Sequence, residues 1–246
     1  MSNSTQSVKK AFDSKSEVEH YAKIIRHGLL ETEKYVIDKY FKSKGKILDL
    51  GCGAGREAFV LAKRGFEIIG VDIAPNMIKY AKEYAKKHKI FNVKFIAKDI
   101  TKLDYPENSF DYIILPTQTI EHIKGTINRT KLLKQCKNFL KSNGIMFFTT
   151  HERKSGFEFW WFWKKKEIGA IFKKPEDELG DTWIEANNPE TKLQEKMFLH
   201  FYTKKEVISE IKSAGLNLIE VVKSTNFEEK DWVGKSLKYT FVCGVK

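Results

Sequence analysis

Apolar positions along this chain fall into short runs and helical stripes that alternate with one another. The run from Ile47 and Leu48 through Asp49 to Leu50 reads as a buried parallel strand. Glycines follow at 51, 53 and 55, then Ala58, Phe59, Leu61 and Ala62 at helical spacing, so a tight turn opens a helix. Runs at 67–71, 93–100, 110–115 and 145–150 predict four more strands, with helices over 76–88 and 126–140 between them. The second of these helices stops before Ser142-Asn143-Gly144, a turn signal. Thr203 with Glu206 three residues later forms a capping box for a helix that ends at Gly215. Segments 216–222 and 237–245 read as strands. Upstream, Tyr21, Ile24, Leu29, Leu30, Val36, Ile37 and Phe41 recur at three- and four-residue steps, which predicts helices across 17–41 with a break near Gly28.

Composition bounds this picture. The 246 residues suffice for one α/β domain with an insertion, and 41% hydrophobic residues allow a sizeable core. No apolar run reaches membrane-spanning length, and residues 1–7 lack a secretory core. Cys52, Cys136 and Cys243 are too scattered for a metal site or disulfide framework, so the expectation is a cytoplasmic protein without a metal. The net charge of +12 favours anionic partners or, more plainly, reflects lysines that solvate helix faces.

The glycine turn carries the chemistry. It lets backbone approach a ligand closely, and the helix start behind it offers unpaired N–H groups. A dinucleotide fingerprint spaces its glycines differently. The segment Asp49-Leu50-Gly51-Cys52-Gly53-Ala54-Gly55 resembles motif I of the class I S-adenosylmethionine-dependent methyltransferases of small-molecule type. Asp72 ends the second strand twenty-one residues past Gly51, where an acid can bind ribose hydroxyls. Asp99 ends the third. The likeness is close over 45–150 and topological elsewhere. It implies an α/β Rossmann-like sheet of seven strands with helices on both faces and an antiparallel C-terminal hairpin.

The resemblance also implies site residues. Gly51, Gly53 and Gly55 would line the methionine and ribose portion of S-adenosyl-L-methionine, with the small Cys52 inside the turn. Asp49 would support the turn and reach towards the amino group. Ile73 and Met77 would lie near the adenine, Asp99 would accept from its amino group, and Ile100 would sit against the ring. Leu115 and Pro116 would lie near the methionine end, and Tyr21 would close over the donor.

Methyl transfer from a sulfonium is an in-line displacement that mainly needs orientation in a dry site. Catalytic residues are therefore poorly marked. Glu121 and His122, just past the fourth strand, face the reacting methyl in the implied fold, and His122 is the candidate base or loop anchor. His151, His200 and Tyr202 are further candidates on the acceptor side. The chain divides into an N-terminal helical cap (1–44), a donor-binding core (45–150), an aromatic and basic insertion (151–202) and a C-terminal completion of the sheet (203–246). The insertion, rich in Phe and Trp over 157–163 and followed by lysines, suits a substrate pocket or lid, or peripheral membrane contact through 157–166. The expected activity is methylation of a nitrogen or oxygen on a small or medium-sized metabolite. The alternatives are methylation of tRNA at a wobble uridine, which the basic charge favours, and of a lipid or quinone at a membrane surface.

Overall fold

Alternating side chains on each strand feed two separate apolar layers, and this fixes the architecture. In the computed structural model, which describes residues 2–153, 163, 165, 177–187, 194–227 and 238–245, the first five strands are β1 (Lys46–Leu50), β2 (Glu67–Asp72), β3 (Val93–Ala97), β4 (Phe110–Leu115) and β5 (Leu140–His151). Two strands form a separate antiparallel ribbon, β6 (Asp181–Asn187) with β7 (Gln194–His200), and β8 (Asn217–Lys223) and β9 (Lys238–Gly244) return to the main sheet. The main sheet has seven strands in the order β3-β2-β1-β4-β5-β9-β8. β3, β2, β1, β4 and β5 are parallel, and β9 runs antiparallel to both of its neighbours.

Ile47, Ile68, Ile114 and Phe147 point to one face, while Leu48, Ile69, Ile113 and Phe148 point to the other. On the first face they meet α3 (Glu31–Tyr40), α4 (Arg56–Lys63) and α5 (Pro75–Lys87) through Val36, Phe59 and Ile78. On the second they meet α6 (Thr126–Phe139) and α7 (Lys204–Ser213) through Leu133, Cys136 and Ile211. Burial on both faces explains why the strands read as nearly continuous apolar runs. The capping box at the start of α7 forms as its sequence predicts, with Thr203 Oγ1 accepting from Glu206 N–H at 3.3 Å.

Two features differ from the sequence reading, while a third, the break near Gly28, forms as expected. The expected turn at 142–144 is absorbed into β5 as an irregularity: Phe110 pairs with Leu140 but Tyr112 pairs with Ile145, and Asn143 takes a left-handed φ of 65°. The 17–41 helical stretch resolves into α2 (Lys15–Ile24) and α3, divided by a single 3₁₀ turn and by Gly28 at φ 67°. Ahead of them lies an unanticipated helix, α1 (Asn3–Phe12), capped by Ser2 and lying against β7, with Val8 and Ala11 buried and Phe12 packed edge-on to Tyr21 and His122. The 157–166 segment lies outside the described residues except for Trp163 and Lys165. Trp163 packs edge-on to Phe201, under the Arg153 guanidinium.

A buried polar network ties the ribbon to the second helical layer. Arg129 on α6 is fully buried; it donates to Glu210 Oε1 from Nε (3.0 Å) and Nη2 (2.8 Å), and to Glu178 Oε2 at 2.6 Å. Tyr202 donates to the other Glu210 oxygen at 3.1 Å, and the ring nitrogen of His200 lies 2.8 Å from Asp181. Removing one member strands the others. Arg129→Ala is expected to destabilise the fold by about 3–5 kcal/mol, read from the urea midpoint, and a shift below 1 kcal/mol would show that the network carries no weight.

Candidate active site

The glycine turn is built by positive backbone angles that only glycine adopts without cost: φ is 76° at Gly51, 50° at Gly53 and 95° at Gly55. A side chain at Gly51 would collide with Thr119, and one at Gly55 with the Phe59 and Phe95 rings. Backbone closes the turn through Gly51 N–H to Val71 C=O (2.8 Å) and Gly55 N–H to Cys52 C=O (2.8 Å). Gly55 then serves as the N-cap of α4 and offers no side-chain cap, so the first amides of that helix have no intrahelical acceptor.

Three strand-end carboxylates surround the turn. Asp72 accepts from Gly53 N–H and from Ala74 N–H, both at 2.9 Å, so it fastens the turn to the end of β2. Burial pushes its carboxyl upward, against the backbone donors that pull it down. Asp99 caps a short 3₁₀ turn, accepting from Thr101 N–H (3.0 Å) and Thr101 O–H (2.7 Å). Asp49 is wholly buried in β1, and neither of its oxygens has a hydrogen-bond partner among the described residues. Burial, then the nearby Glu57, drives its carboxyl well above the usual carboxylate range.

Asp72 and Asp99 border one cavity of about 820 Å³ at the carboxyl edge of the parallel strands. Open α/β sheets bind ligands at that edge. Its nucleoside-sized half is walled by Asp72, Ile73, Met77, Asp99 and Ile100. Gly51, Cys52 and Gly53 form the bend, and Tyr21 leans over Gly53 from α2. The far half is closed by Thr117, Thr119 and His122 from the segment after β4, by Ile127 at the start of α6, and by Thr5 and Phe12 of α1. Gly55, Asp49, Leu115 and Pro116 stand behind this wall rather than in it; Leu115 belongs to the second apolar layer. Buried Asp49, an acceptor without a donor beside the turn, suits a donor molecule bearing an ammonium and a sulfonium.

Of the acceptor-side candidates, only His122 borders the cavity. Its Nδ1 lies 3.1 Å from Phe198 C=O on β7, which fixes the proton there and leaves Nε2 as an acceptor. Burial, opposed only by that carbonyl, pushes the imidazole down to about 4. Glu121 turns away and accepts from the backbone N–H and ring of His151, the latter at 2.7 Å. His200 and Tyr202 are held in the Arg129 network and do not border the cavity. Glu178, Asp181 and His200 place ligand-type atoms within 4.8 Å of one another, but the Arg129 guanidinium already supplies positive charge there.

Sequence reading missed Arg56 and Glu57, which open α4 and border the cavity although both are buried. Arg56 forms a two-pronged pair with Glu33 of α3, each contact 2.8 Å, donates to Gly28 C=O at 2.8 Å, and contacts Glu57 and Thr117. Charged residues in a first helical turn normally read as solvent-facing, and only the buried Glu33 opposite changes that.

Comparison with known proteins agrees with this geometry. The sequence profile of the methyltransferase domain matches residues 41–215. Over 128 residues the chain is 36% identical to phosphoethanolamine N-methyltransferase 3 of Arabidopsis thaliana, covering 51% of this chain and 25% of that protein. It is 33% identical over 118 residues to the ubiquinone biosynthesis O-methyltransferase of Coxiella burnetii, covering 48% of each. The chain thus spans between a quarter and about half the length of these curated relatives. In fold it is similar to an S-adenosylmethionine-dependent methyltransferase of Methanosarcina mazei, with a TM-score of 0.67 at 20% identity over 85% of this chain and 96% of the other. The chain belongs to the methyltransferase domain family, with the class I S-adenosylmethionine-dependent fold.

Two outcomes follow. Asp72→Ala removes the fastening of the turn and is expected to weaken binding of S-adenosylhomocysteine by about 1–3 kcal/mol in calorimetry, whereas an unchanged dissociation constant would exclude Asp72 from the donor site. His122 disfavours the imidazolium in the fold, so its contribution to stability is complete above its ordinary value of about 6.5 and declines as pH falls towards about 4. NMR titration should accordingly show the His122 ring neutral down to about pH 5.5; a midpoint near 6.5 would contradict its placement.

Proposed function

We propose that this protein transfers a methyl group from S-adenosylmethionine to a nitrogen or oxygen of a small or medium-sized metabolite. The observation that carries the reading is the single cavity that runs from Asp72 and Asp99, past the glycine turn, to His122. Its volume falls in the range of small-molecule sites, and its far half offers room beyond the donor. The relatives support an acceptor of this size: one is named for N-methylation of phosphoethanolamine, the other for O-methylation in ubiquinone biosynthesis.

Bound S-adenosylmethionine supplies a methyl group already activated by its sulfonium. The chain's own task is orientation in a dry site. Asp72 would accept from the ribose hydroxyls and Asp99 from the adenine edge, with Ile73, Met77 and Ile100 against the ring. The first amides of α4 would meet the amino-acid end, with Asp49 supporting the turn from behind. Phe12 and Tyr21 would exclude water from above; their rings meet edge-on with centroids 6.0 Å apart. His122, neutral through the physiological range, would accept a hydrogen bond from the acceptor's N–H or O–H at Nε2 and orient its lone pair.

The test is production of S-adenosylhomocysteine with a panel of small amines and phenols. His122→Phe should lower kcat/KM for the best acceptor by about 10–100-fold, the cost of one lost hydrogen bond in a dry site, with donor affinity unchanged. Turnover only with tRNA, or only with vesicles carrying a lipid or quinone acceptor, would overturn the small-metabolite reading.

A further inference from the structure

The mechanism above leaves one buried group unused. Arg56 is a single guanidinium facing an excess of carboxyls. Glu33 takes both of its prongs at 2.8 Å and also accepts from Leu30 N–H at 2.8 Å, so that pair is complete. Glu57 is a second carboxyl on the same guanidinium, also in reach of the Thr117 hydroxyl at 3.4 Å. Asp49 of β1 adds a third, and Asp72 of β2 and the Tyr21 hydroxyl of α2 also face this group. Glu33, Asp49, Arg56 and Glu57 are at most 5% exposed. One positive charge cannot balance this many buried negative ones, and an uncompensated buried charge is costly enough that a proton is retained instead. Burial, with Glu33 adding to it and Arg56 opposing it, lifts Glu57 to about 7.

Glu57 borders the same cavity as Asp72, in the first helical turn behind the glycine bend, and with a donor's ribose at Asp72 the methionine end would lie along that bend. That end is cationic at sulfur in the methyl donor and uncharged at sulfur in the demethylated product. We propose that Glu57 is the counter-charge that tells donor from product: it holds a proton in the free protein, gives it to solvent when the donor binds, and regains one when the methyl group has left. The step breaks only the carboxyl O–H bond; the proton passes to bulk water, and no other reactant is needed. It rests on the methyltransferase reading. It also predicts a direction. Raising the pH through 7 removes the proton beforehand, so donor binding tightens while product binding stays level.

The experiment is calorimetry of S-adenosylmethionine and S-adenosylhomocysteine in buffers of different ionisation enthalpy. At pH 7 the donor should release about half a proton per site and the product close to none, as a group half-protonated at that pH requires. In Glu57→Gln the release should vanish, and donor affinity should fall roughly tenfold at pH 8 while product affinity stays within about twofold. Difference infrared spectra of the wild type need no variant: carboxylic-acid C=O intensity should fall on adding donor and stay unchanged on adding product, with the buried Asp49 carboxyl contributing equally before and after. Equal proton release by both ligands, release that persists in a folded Glu57→Gln protein, or an unchanged carboxylic-acid band would overturn the proposal with the proposed function intact. Failure to bind either ligand would overturn both.

Discussion

Arg56 reaches from the first turn of α4 to the Gly28 carbonyl, to both oxygens of Glu33 and to Thr117 past β4. Its contacts join the N-terminal helices, the glycine turn and the segment that carries His122, regions far apart in sequence. Because Arg56 and Glu33 are both buried, drawing α3 away from α4 would leave a charge without its mate in a medium that solvates it poorly. The walls of the cavity are consequently one mechanical unit with the sheet. Apolar packing alone would hold the N-terminal helices in place, but it would fix their rotation less closely than a two-pronged ion pair does.

The cavity has two halves made by different means. The nucleoside half is built from strand ends and a turn whose geometry is dictated by backbone, with carboxylates fastening N–H groups. The far half is built from side chains borrowed from α1, from the segment after β4 and from the start of α6. That segment is itself strained: Thr117 and Gln118 both take left-handed φ, and Gln118 N–H is held by the Thr149 hydroxyl at 2.9 Å. The first half suits a ligand of fixed shape. The second can vary without disturbing the sheet, as expected where acceptors differ among proteins that share one donor.

The donor half was legible because its signals are local. Glycines at 51, 53 and 55, and acids ending consecutive strands, need no knowledge of distant contacts. The Thr203 cap was legible for the same reason, whereas the seven-stranded sheet was implied by the resemblance to the methyltransferase family. What escaped notice depends on pairing across the chain. α1 has the polar composition of a loose end, and what it lies against, β7, comes from far along the chain. Arg56 and Glu57 look like ordinary surface charges until Glu33 is placed opposite. Conversely, His200 and Tyr202 resemble substrate-facing groups in sequence, yet Glu210, Asp181 and Arg129 consume their polar atoms.

β9 lies between β5 and β8, with every one of its residues buried. During synthesis β8 leaves the ribosome before the strand to which it is hydrogen-bonded in the sheet, and it must wait with its edge unpaired. The nascent protein can assemble its parallel half early, but the ladder beyond β5 closes only when β9 slides in. That late insertion makes the interval between the two strands a window for strand exchange between neighbouring chains, and a folding helper would have its chief use there.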